Sequence, residues 1–251
     1  MGTSKKLFRS LALTLVLCLA VVGSAGAVAS GPADADMFTN YNDPETAFGQ
    51  TTPNDLWITK TGDPGGNCVD SRITYLQWSL TDVPEGGIIG YAGVTLTRSG
   101  ATSNGPGYTI GLYQASDEWT EASTYATTPL PGALLDTKPF LTTNGASLTF
   151  SSDALLSYVQ AQADGDNVLS LAVKLVTPGT CPTSAVSLVF DSSEDSAGVA
   201  PSLDVRTAPP PNAVTVATSS AETVTWPLYA GLGAVALVVI AGLAVSRRRT
   251  A

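Results

Sequence analysis

Apolar and polar residues alternate with a period of two over most of the chain between residues 30 and 207. In the segment from Ile88 to Arg98, the even positions up to Leu96 are apolar or small, whereas Thr95 and Thr97 lie on the opposite face. The same alternation groups four further sets of residues: Leu76, Trp78 and Leu80; Ile110 and Leu112; Leu169, Leu171, Val173 and Leu175; and Val186, Leu188 and Phe190. This period is typical of β-strands with one buried face.

Turn-forming residues separate these strands. Gly, Pro, Asn and Asp cluster at residues 61–67, 82–87, 99–107 and 163–167, and two shorter strands are predicted at 56–60 and 202–206. Many short strands with turn chemistry between them favour an antiparallel sandwich over a parallel arrangement. We therefore predict one all-β domain over residues 30–207, which is long enough to bury a proper core.

One segment breaks the alternation and predicts a short helix. The sequence SSDALLSYVQAQA at 151–163 offers Ser152 or Asp153 as the N-cap and places Leu155, Leu156 and Val159 on one face. Such a pattern is typical of an amphipathic helix with a defined start. We expect this helix to plug the core of the sandwich rather than to bind a ligand.

The two ends of the chain predict a surface topology. Residues 1–29 have the basic, apolar and small-residue order of a secretory signal, with cleavage after Ala27 or Ala29. Residues 226–246 form an uncharged run long enough to span a bilayer, and three arginines follow in the cytoplasmic tail 247–251. A buried core helix is the alternative, but the run lacks a polar stripe. Residues 208–225, rich in Pro, Ser and Thr, are predicted to be a linker. The domain is therefore expected outside the cell, on a single-pass anchor in the plasma membrane.

The charge distribution restricts the partners. All 21 acidic residues lie between Asp34 and Glu222, and six of the 12 basic residues lie in the terminal segments, so the segment between carries a net charge of −15. Nucleic acid is excluded as a partner, because phosphate neutralisation by Lys and Arg supplies most of such affinity. Anionic polysaccharide is disfavoured unless a divalent cation bridges the two. The alternative is that surface acids only keep the protein soluble.

Catalytic chemistry has few candidates. The chain has no histidine, and removal of the signal leaves Cys68 and Cys181, which are expected to form a disulfide in an oxidising compartment, with two free thiols as the alternative. Ser-His-Asp and Cys-His mechanisms are therefore excluded. Acidic residues near Trp119 and after Phe190 leave open a carboxylate pair of the glycosidase type. Acids at strand ends more often cap turns, and we predict that the protein is not an enzyme and requires no cofactor.

A sugar site needs an exposed aromatic face with polar groups around it. If Leu56 and Ile58 point inward, Trp57 points outward, and strand parity gives the same outward direction to Tyr75, Tyr91 and Tyr113. These four residues are the predicted carbohydrate contacts. The alternative is that they stabilise pairs across strands.

Six motifs occur in the order of a known family. They are Asp36 with Asn42 and Phe48-Gly49; RITYLQWSL from Arg72; GYAGVTL from Gly90; WTEASTY from Trp119 with Pro129 beyond; FDSSE from Phe190; and PSLDV from Pro201. This series resembles the DNRLRE domain family, which is similar to carbohydrate-binding module family 96 and the disaggregatase-related domains. The resemblance implies a jelly-roll β-sandwich on surface-attached proteins, commonly a non-catalytic unit for glycan binding or adhesion. Tyr125 stands where the family commonly has a second Trp.

The resemblance also assigns structural roles. The family's recurring Arg and Glu correspond to Arg72 and Glu194, which are expected to form an ion pair between two strands. Independently of the resemblance, Trp119 is expected to plug the rim of the sandwich, because a tryptophan just past a strand usually does so, and Glu121 is expected to accept hydrogen bonds from loop amides. By analogy with other jelly-roll modules, a structural Ca²⁺ beside the first strand is an open alternative, with the acidic residues Asp34, Asp36 and Asp43 as ligands.

The sequence therefore predicts a membrane-anchored cell-surface module that binds an extracellular glycan or mediates adhesion. A structural component of the cell envelope that engages other proteins is the first alternative. A polysaccharide hydrolase or lyase is the second.

Overall fold

The computed structural model describes residues 27–49, 55–63, 65–100, 107–176, 179–195 and 198–208. The chain divides into two compact units, residues 1–213 and 214–251, and the described residues all belong to the first. They contain eleven strands and one helix: β1 (Ala27–Pro32), β2 (Ala35–Asn40), β3 (Leu56–Gly62), β4 (Cys68–Ser79), β5 (Ile89–Thr97), β6 (Thr109–Gln114), β7 (Leu134–Pro139), β8 (Ser147–Phe150), α1 (Asp153–Ala163), β9 (Val168–Val176), β10 (Val186–Phe190) and β11 (Ser202–Thr207).

The predicted terminal segments lie almost entirely outside these residues. Strand β1 begins at Ala27, inside the predicted signal peptide, and Ala208 is the last described residue. The rest of the signal, nearly all of the linker, the membrane segment 226–246 and the tail 247–251 are not described. Within the described ranges, no helix has the length and apolar character needed to cross a membrane.

The strands form two antiparallel sheets, which confirms the predicted all-β sandwich. One sheet has the order β1-β11-β5-β8, and the other has the order β10-β3-β4-β9-β6-β7 with β2 pairing to β4. The main core combines residues of both sheets, such as Val94 and Leu203 from the first and Leu76 and Leu171 from the second. These four side chains are almost completely buried. Burial of alternate positions is therefore the interaction that joins the two sheets.

The alternation fails at the start of β5. The pattern predicts Ile88 on the core face, but Ile88 is 59% exposed, whereas its neighbour Ile89 is buried in the core. The pairing of β5 with β11 shifts register between Arg206 and Thr207, opposite this point. An irregularity of this kind moves side chains to the other face, because strand residues alternate.

Helix α1 confirms the predicted capping and packing. Its N-cap is Ser152, whose Oγ accepts a hydrogen bond from the Leu155 N–H at 3.1 Å. Leu155 and Val159 are fully buried in the main core, and Leu156 packs against it. The helix thus closes the core, as its apolar face predicts.

A second apolar cluster lies apart from the main core. Its buried members are Met37, Ile73, Tyr75, Ala115, Trp119 and Ala172. Strand β4 contributes to both clusters, with Leu76 and Trp78 in the main core and Ile73 and Tyr75 in the second. Trp119 comes from the long segment between β6 and β7. That segment therefore covers part of a sheet face that would otherwise be open to solvent.

The predicted disulfide is present. Cys68 and Cys181 are bonded with an S–S distance of 2.09 Å and lie 113 residues apart in sequence. Cys68 begins β4, and Cys181 lies between β9 and β10. The bond therefore ties together two segments that are distant in sequence.

Replacement of both cysteines by serine should lower the free energy of unfolding by about 4 to 5 kcal/mol on the chain-entropy model, because the closed loop is long. Urea denaturation of the wild type and the double variant measures this difference. Wild-type protein in a strong reductant is the matched control and should unfold like the variant. An unchanged midpoint in both would contradict the prediction.

Candidate functional site

Tyr75 is inside the protein rather than on its surface. Parity places it on the expected face of β4, but the segment between β6 and β7 covers that face, and the residue is only 2% exposed. Its ring lies 5.8 Å from that of Trp119, and its hydroxyl donates a hydrogen bond to the Pro129 carbonyl at 2.8 Å. Burial raises the pKa of Tyr75. The prediction that the Tyr75 ring is exposed is therefore wrong.

Tyr91 and Tyr113 are half-buried, and each lies over a glycine of its own strand. A Cβ at Gly93 would come within 2.5 Å of the Tyr91 hydroxyl oxygen, and one at Gly111 within 2.7 Å of Tyr113 Cε2. A cation lies over each ring as well: Arg206 is 5.1 Å from the Tyr91 centroid, and Lys174 is 4.8 Å from that of Tyr113. Both rings therefore support the sheet surface and a cation, which is the alternative left open by the sequence. Tyr91 also lies on the other sheet, in β5.

Trp57 belongs to a stack of aromatic rings and one cation. The Arg72 guanidinium lies 4.6 Å from the Trp57 ring centroid and 5.8 Å from that of Phe38, and Phe38 stacks on Phe48 at 4.6 Å. Burial lowers the pKa of Arg72. Trp57 itself is half-buried. It keeps some exposed surface, but Arg72 covers part of the ring.

The predicted ion pair between Arg72 and Glu194 is not formed. Among the described residues, the ion pairs are Lys60 with Asp70, Lys174 with Asp70, Lys138 with Asp136, and Arg206 with Asp204. Arg72 is taken up by the aromatic rings of β2 and β3. Glu194 lies beside another acid, Asp36. Tertiary packing has thus given the two residues different partners from those that the resemblance implies.

Asp36 is a buried acid next to a second acid. Burial raises its pKa from the ordinary value of 3.8 to about 7, and the charge of Glu194 acts in the same direction, while the Ser193 backbone N–H opposes them. That N–H donates to Asp36 Oδ2 at 2.7 Å. The other oxygen, Oδ1, is buried and receives no hydrogen bond from the described residues. A proton on this carboxyl group removes the repulsion between the two acids.

The three aspartates expected to bind calcium have separate partners. Asp34 accepts a hydrogen bond from the Ser79 N–H at 2.6 Å, and Asp43 accepts one from the Thr46 hydroxyl at 2.8 Å. In the part of the chain that the structure describes, no group of three or more Asp, Glu, Cys or His residues is arranged to hold a metal ion. A structural Ca²⁺ stays a prediction from the sequence.

Trp119 is the predicted plug, since it is only 2% exposed and lies in the second cluster. Glu121, two residues later, was expected to accept hydrogen bonds from loop amides, but its close contact is with Gly49. Its Cα, Cβ and carbonyl oxygen approach Gly49 so closely that a Cβ at that glycine would lie within 2.7 Å of each. Hydrogen bonds from described loop amides do not reach its carboxylate. Glu121 therefore joins the β2–β3 and β6–β7 segments through backbone packing.

Tyr41 and Tyr125 form an accessible aromatic pair among the described residues. Strand parity did not predict this pair, because neither residue is in a strand. Tyr41 follows β2 and is 51% exposed, and its ring meets that of half-buried Tyr125 edge to face at 5.5 Å. The segments that carry them are joined by the Ala47–Thr124 bridge and by a hydrogen bond from the Ala126 N–H to the Pro44 carbonyl. The position of Tyr125 within the WTEASTY motif was the one sequence signal for this site.

A charged group lies beside these rings. Asp70 forms ion pairs with Lys60 at 2.6 Å and with Lys174 at 2.9 Å. Its charge also acts to raise the pKa of Tyr75, Tyr113 and Tyr125, in each case after the larger effect of burial. Tyr41 is linked to this part of β4, because its N–H donates a hydrogen bond to the carbonyl of Ser71, the residue after Asp70, at 2.8 Å. We call the surface formed by Tyr41, Tyr113, Tyr125, Asp70 and Lys174 the tyrosine platform. It combines an exposed aromatic edge with polar groups.

Comparison with known proteins identifies the domain. The model of carbohydrate-binding module family 96 matches residues 27–207, which is well over half of the chain. The chain belongs to this family. The comparison with curated proteins finds no match. The matched range begins with β1 and ends with β11, so the family 96 module coincides with the sandwich.

Family membership confirms the resemblance and suggests a non-catalytic carbohydrate-binding domain. The geometry of the family 96 module changes which residues are suited to that task. The prediction that Tyr75 is exposed is wrong, whereas Trp57, Tyr91 and Tyr113 stay predicted contacts, and Tyr41 and Tyr125 join them as candidates. Fold and family are therefore better predicted than individual contacts, because contacts depend on how the loops cover the sheet.

Asp36 predicts a measurable pH dependence of stability. Because its pKa is higher in the folded protein than in the unfolded chain, the folded state holds the proton more tightly. The contribution of protonated Asp36 to the free energy of unfolding is complete below about pH 4, and it is lost as the pH rises to about 7. In Asp36→Asn, which resembles the protonated acid, the melting temperature should vary less over this window. Thermal denaturation from pH 4 to 8 measures the effect. Asp43→Asn, an exposed acid, is the control and should follow the wild type; an Asp36→Asn curve parallel to the wild type would contradict the assignment.

Proposed function

We propose that the protein is a cell-surface module that binds polysaccharide without catalysing a reaction, and that the tyrosine platform contacts the sugar. Membership of carbohydrate-binding module family 96 is the observation that carries the proposal. The platform supplies what a sugar site requires, namely an accessible aromatic surface next to fixed polar groups.

Tyr41 is the residue best suited to stacking. It is among the few large apolar side chains in the described residues that are more than about half exposed, and Tyr125 supports its ring from the side. Tyr113 and Trp57 lie under cations and therefore have less free ring surface. A pyranose ring presents C–H groups to an aromatic face and hydroxyl groups to the side, where the Lys174 ammonium is placed to donate hydrogen bonds to them.

The local charge of the site differs from that of the whole domain. The domain is strongly acidic, but the ion-paired group beside the platform contains two lysines and one aspartate. Screening limits the influence of distant acids to about 8 Å at physiological ionic strength. Repulsion of anionic polysaccharide, expected from the net charge, therefore does not govern this surface, and both neutral and acidic polymers belong in a binding screen.

Tyr41→Ala should weaken polysaccharide binding by about five- to thirtyfold, since stacking of a sugar on an aromatic ring contributes on the order of 1 to 2 kcal/mol. Affinity electrophoresis of the purified protein in gels containing β-glucan, xylan, mannan or polygalacturonate measures the loss. Tyr91→Ala, on the other sheet, is the matched comparison and should retain binding. Loss in Tyr91→Ala with none in Tyr41→Ala would move the site to the four-stranded sheet. If the wild type binds none of the four polymers but crosslinks to envelope proteins, the protein is a structural component of the cell envelope rather than a glycan-binding module.

The proposed location is the outer side of the plasma membrane, with residues 226–246 as the anchor. The uncharged run, the three arginines behind it and the signal-like N-terminus support this topology. Truncation after residue 225 should release the module into the medium, because the remaining chain lacks the apolar run. Immunoblotting of membrane and medium fractions measures the redistribution. A full-length protein found in the cytosol would contradict both the topology and the surface role.

A further inference from the structure

Asp70 holds two ammonium groups at once. Its Oδ1 lies 2.6 Å from Lys60 Nζ, and its Oδ2 lies 2.9 Å from Lys174 Nζ. Lys60 and Asp70 are register partners across β3 and β4, whereas Lys174 comes from β9. One carboxylate therefore links three strands. Each oxygen faces a different lysine: Oδ2 accepts a charge-assisted hydrogen bond from Lys174, and Oδ1 is in ionic contact with Lys60.

The two lysines differ in what they can reach. The Lys60 side chain is only 9% exposed, so its ammonium serves mainly to hold Asp70. The Lys174 side chain is 22% exposed, and its ammonium lies 4.8 Å from the Tyr113 ring centroid. An ammonium has three N–H donors. One from Lys174 goes to Asp70, and the ring attracts the positive charge from another side, which leaves donor capacity toward solvent.

The surroundings of this group resist movement. Asp70 is two residues from Cys68, whose disulfide joins β4 to the segment between β9 and β10. Tyr113 rests on Gly111, so its ring has little room to shift toward the sheet. Lys174 is therefore restrained by Asp70 on one side and by Tyr113 on the other. A flexible side chain restrained in this way loses less entropy when it binds a ligand.

We propose that Asp70 is the positioning residue of the site: it holds the Lys174 ammonium over Tyr113, where Lys174 donates a hydrogen bond to a hydroxyl or ring oxygen of the bound sugar. The inference rests on the proposed function and adds the roles of these two residues. Asp70 acts through Lys174 rather than by touching the sugar, because its Oδ2 accepts the Lys174 hydrogen bond and its Oδ1 is buried beside Lys60 Nζ.

The direction in which Asp70→Asn changes the affinity distinguishes a positioning role of Asp70 from an effect of charge alone. Asp70→Asn removes a negative charge and leaves two lysines unpaired, so a site that acted only by positive charge would bind an acidic polymer more tightly. A positioning role has the opposite effect. Release of Lys174 should weaken binding by about tenfold, which corresponds to one charge-assisted hydrogen bond. Lys174→Met should cause a similar loss, and the double variant should lose little more, since both changes remove the same contact.

The experiment uses the full chain and whichever of the four polysaccharides the wild type binds. Affinities of the wild type, Asp70→Asn, Asp70→Glu, Lys174→Met and the double variant are compared, with Asp70→Glu expected to recover part of the binding. Asp204→Asn is the matched control, because Asp204 pairs with Arg206, which lies over Tyr91 on the other sheet. It should bind like the wild type. Melting temperatures show that each variant is folded.

A second readout needs no ligand. In the wild type, the Tyr113 ring current should shift the Lys174 side-chain signals in NMR spectra, and Asp70→Asn should move those signals toward free-lysine positions. Unchanged Lys174 signals, or an unchanged or tighter affinity in Asp70→Asn while Tyr41→Ala still loses binding, would overturn the positioning role and leave the proposed function intact. Absence of binding by the wild type would overturn the proposed function and, with it, the ligand role of Lys174.

Discussion

Burial on both faces of β4 is the constraint on which this structure depends. Successive residues of this strand alternate between two apolar clusters, the main core between the sheets and the second cluster around Trp119. A strand buried on both faces cannot leave its outer side open to water, so another segment must cover it. The long segment between β6 and β7 does so. Its course over the sheet brings Tyr125 beside Tyr41, whose N–H donates to the carbonyl of Ser71, the residue after Asp70. The candidate site is therefore a consequence of how the second cluster is closed.

Cations on aromatic rings recur on the surface of this domain. Of the six basic residues between the terminal segments, Arg72, Lys174 and Arg206 each lie over an aromatic ring. In a domain with a large excess of acid, a cation has many possible carboxylate partners, yet Arg72 has none among the described residues. Rings offer a cation an attractive face without the cost of removing a second charge from water. Rings covered in this way are less available to a sugar, and this effect distinguishes Tyr113 and Trp57 from Tyr41.

The acidic residues serve several purposes, which the net charge alone conceals. Asp70 organises two lysines, Asp204 pairs with Arg206, and Asp36 is buried beside Glu194 with a raised pKa. The first two neutralise local cations, whereas the third holds a proton at a higher pH than an ordinary aspartate does. A surface that repels polyanions overall can therefore contain a region where an ammonium group is available to a ligand. The proposed role of the platform is therefore compatible with the acidic net charge of the domain.

The sequence by itself determined most elements of this protein, and the tertiary structure decided their surroundings. The sequence pattern predicted β3 to β6 and β9 to β11 but missed β1, β2, β7 and β8. Ser152 or Asp153 predicted the start of the helix, and two remaining cysteines predicted the disulfide, because each signal depends on neighbouring residues or on simple elimination. The motif series also predicted the family. Parity predicted the direction of Tyr75 correctly but not its burial, since a strand pattern carries no information about a loop that folds over it. Arg72 and Glu194 found other partners, and Tyr41 and Tyr125 met across two loops, because contacts between segments distant in sequence form only when the sheets close.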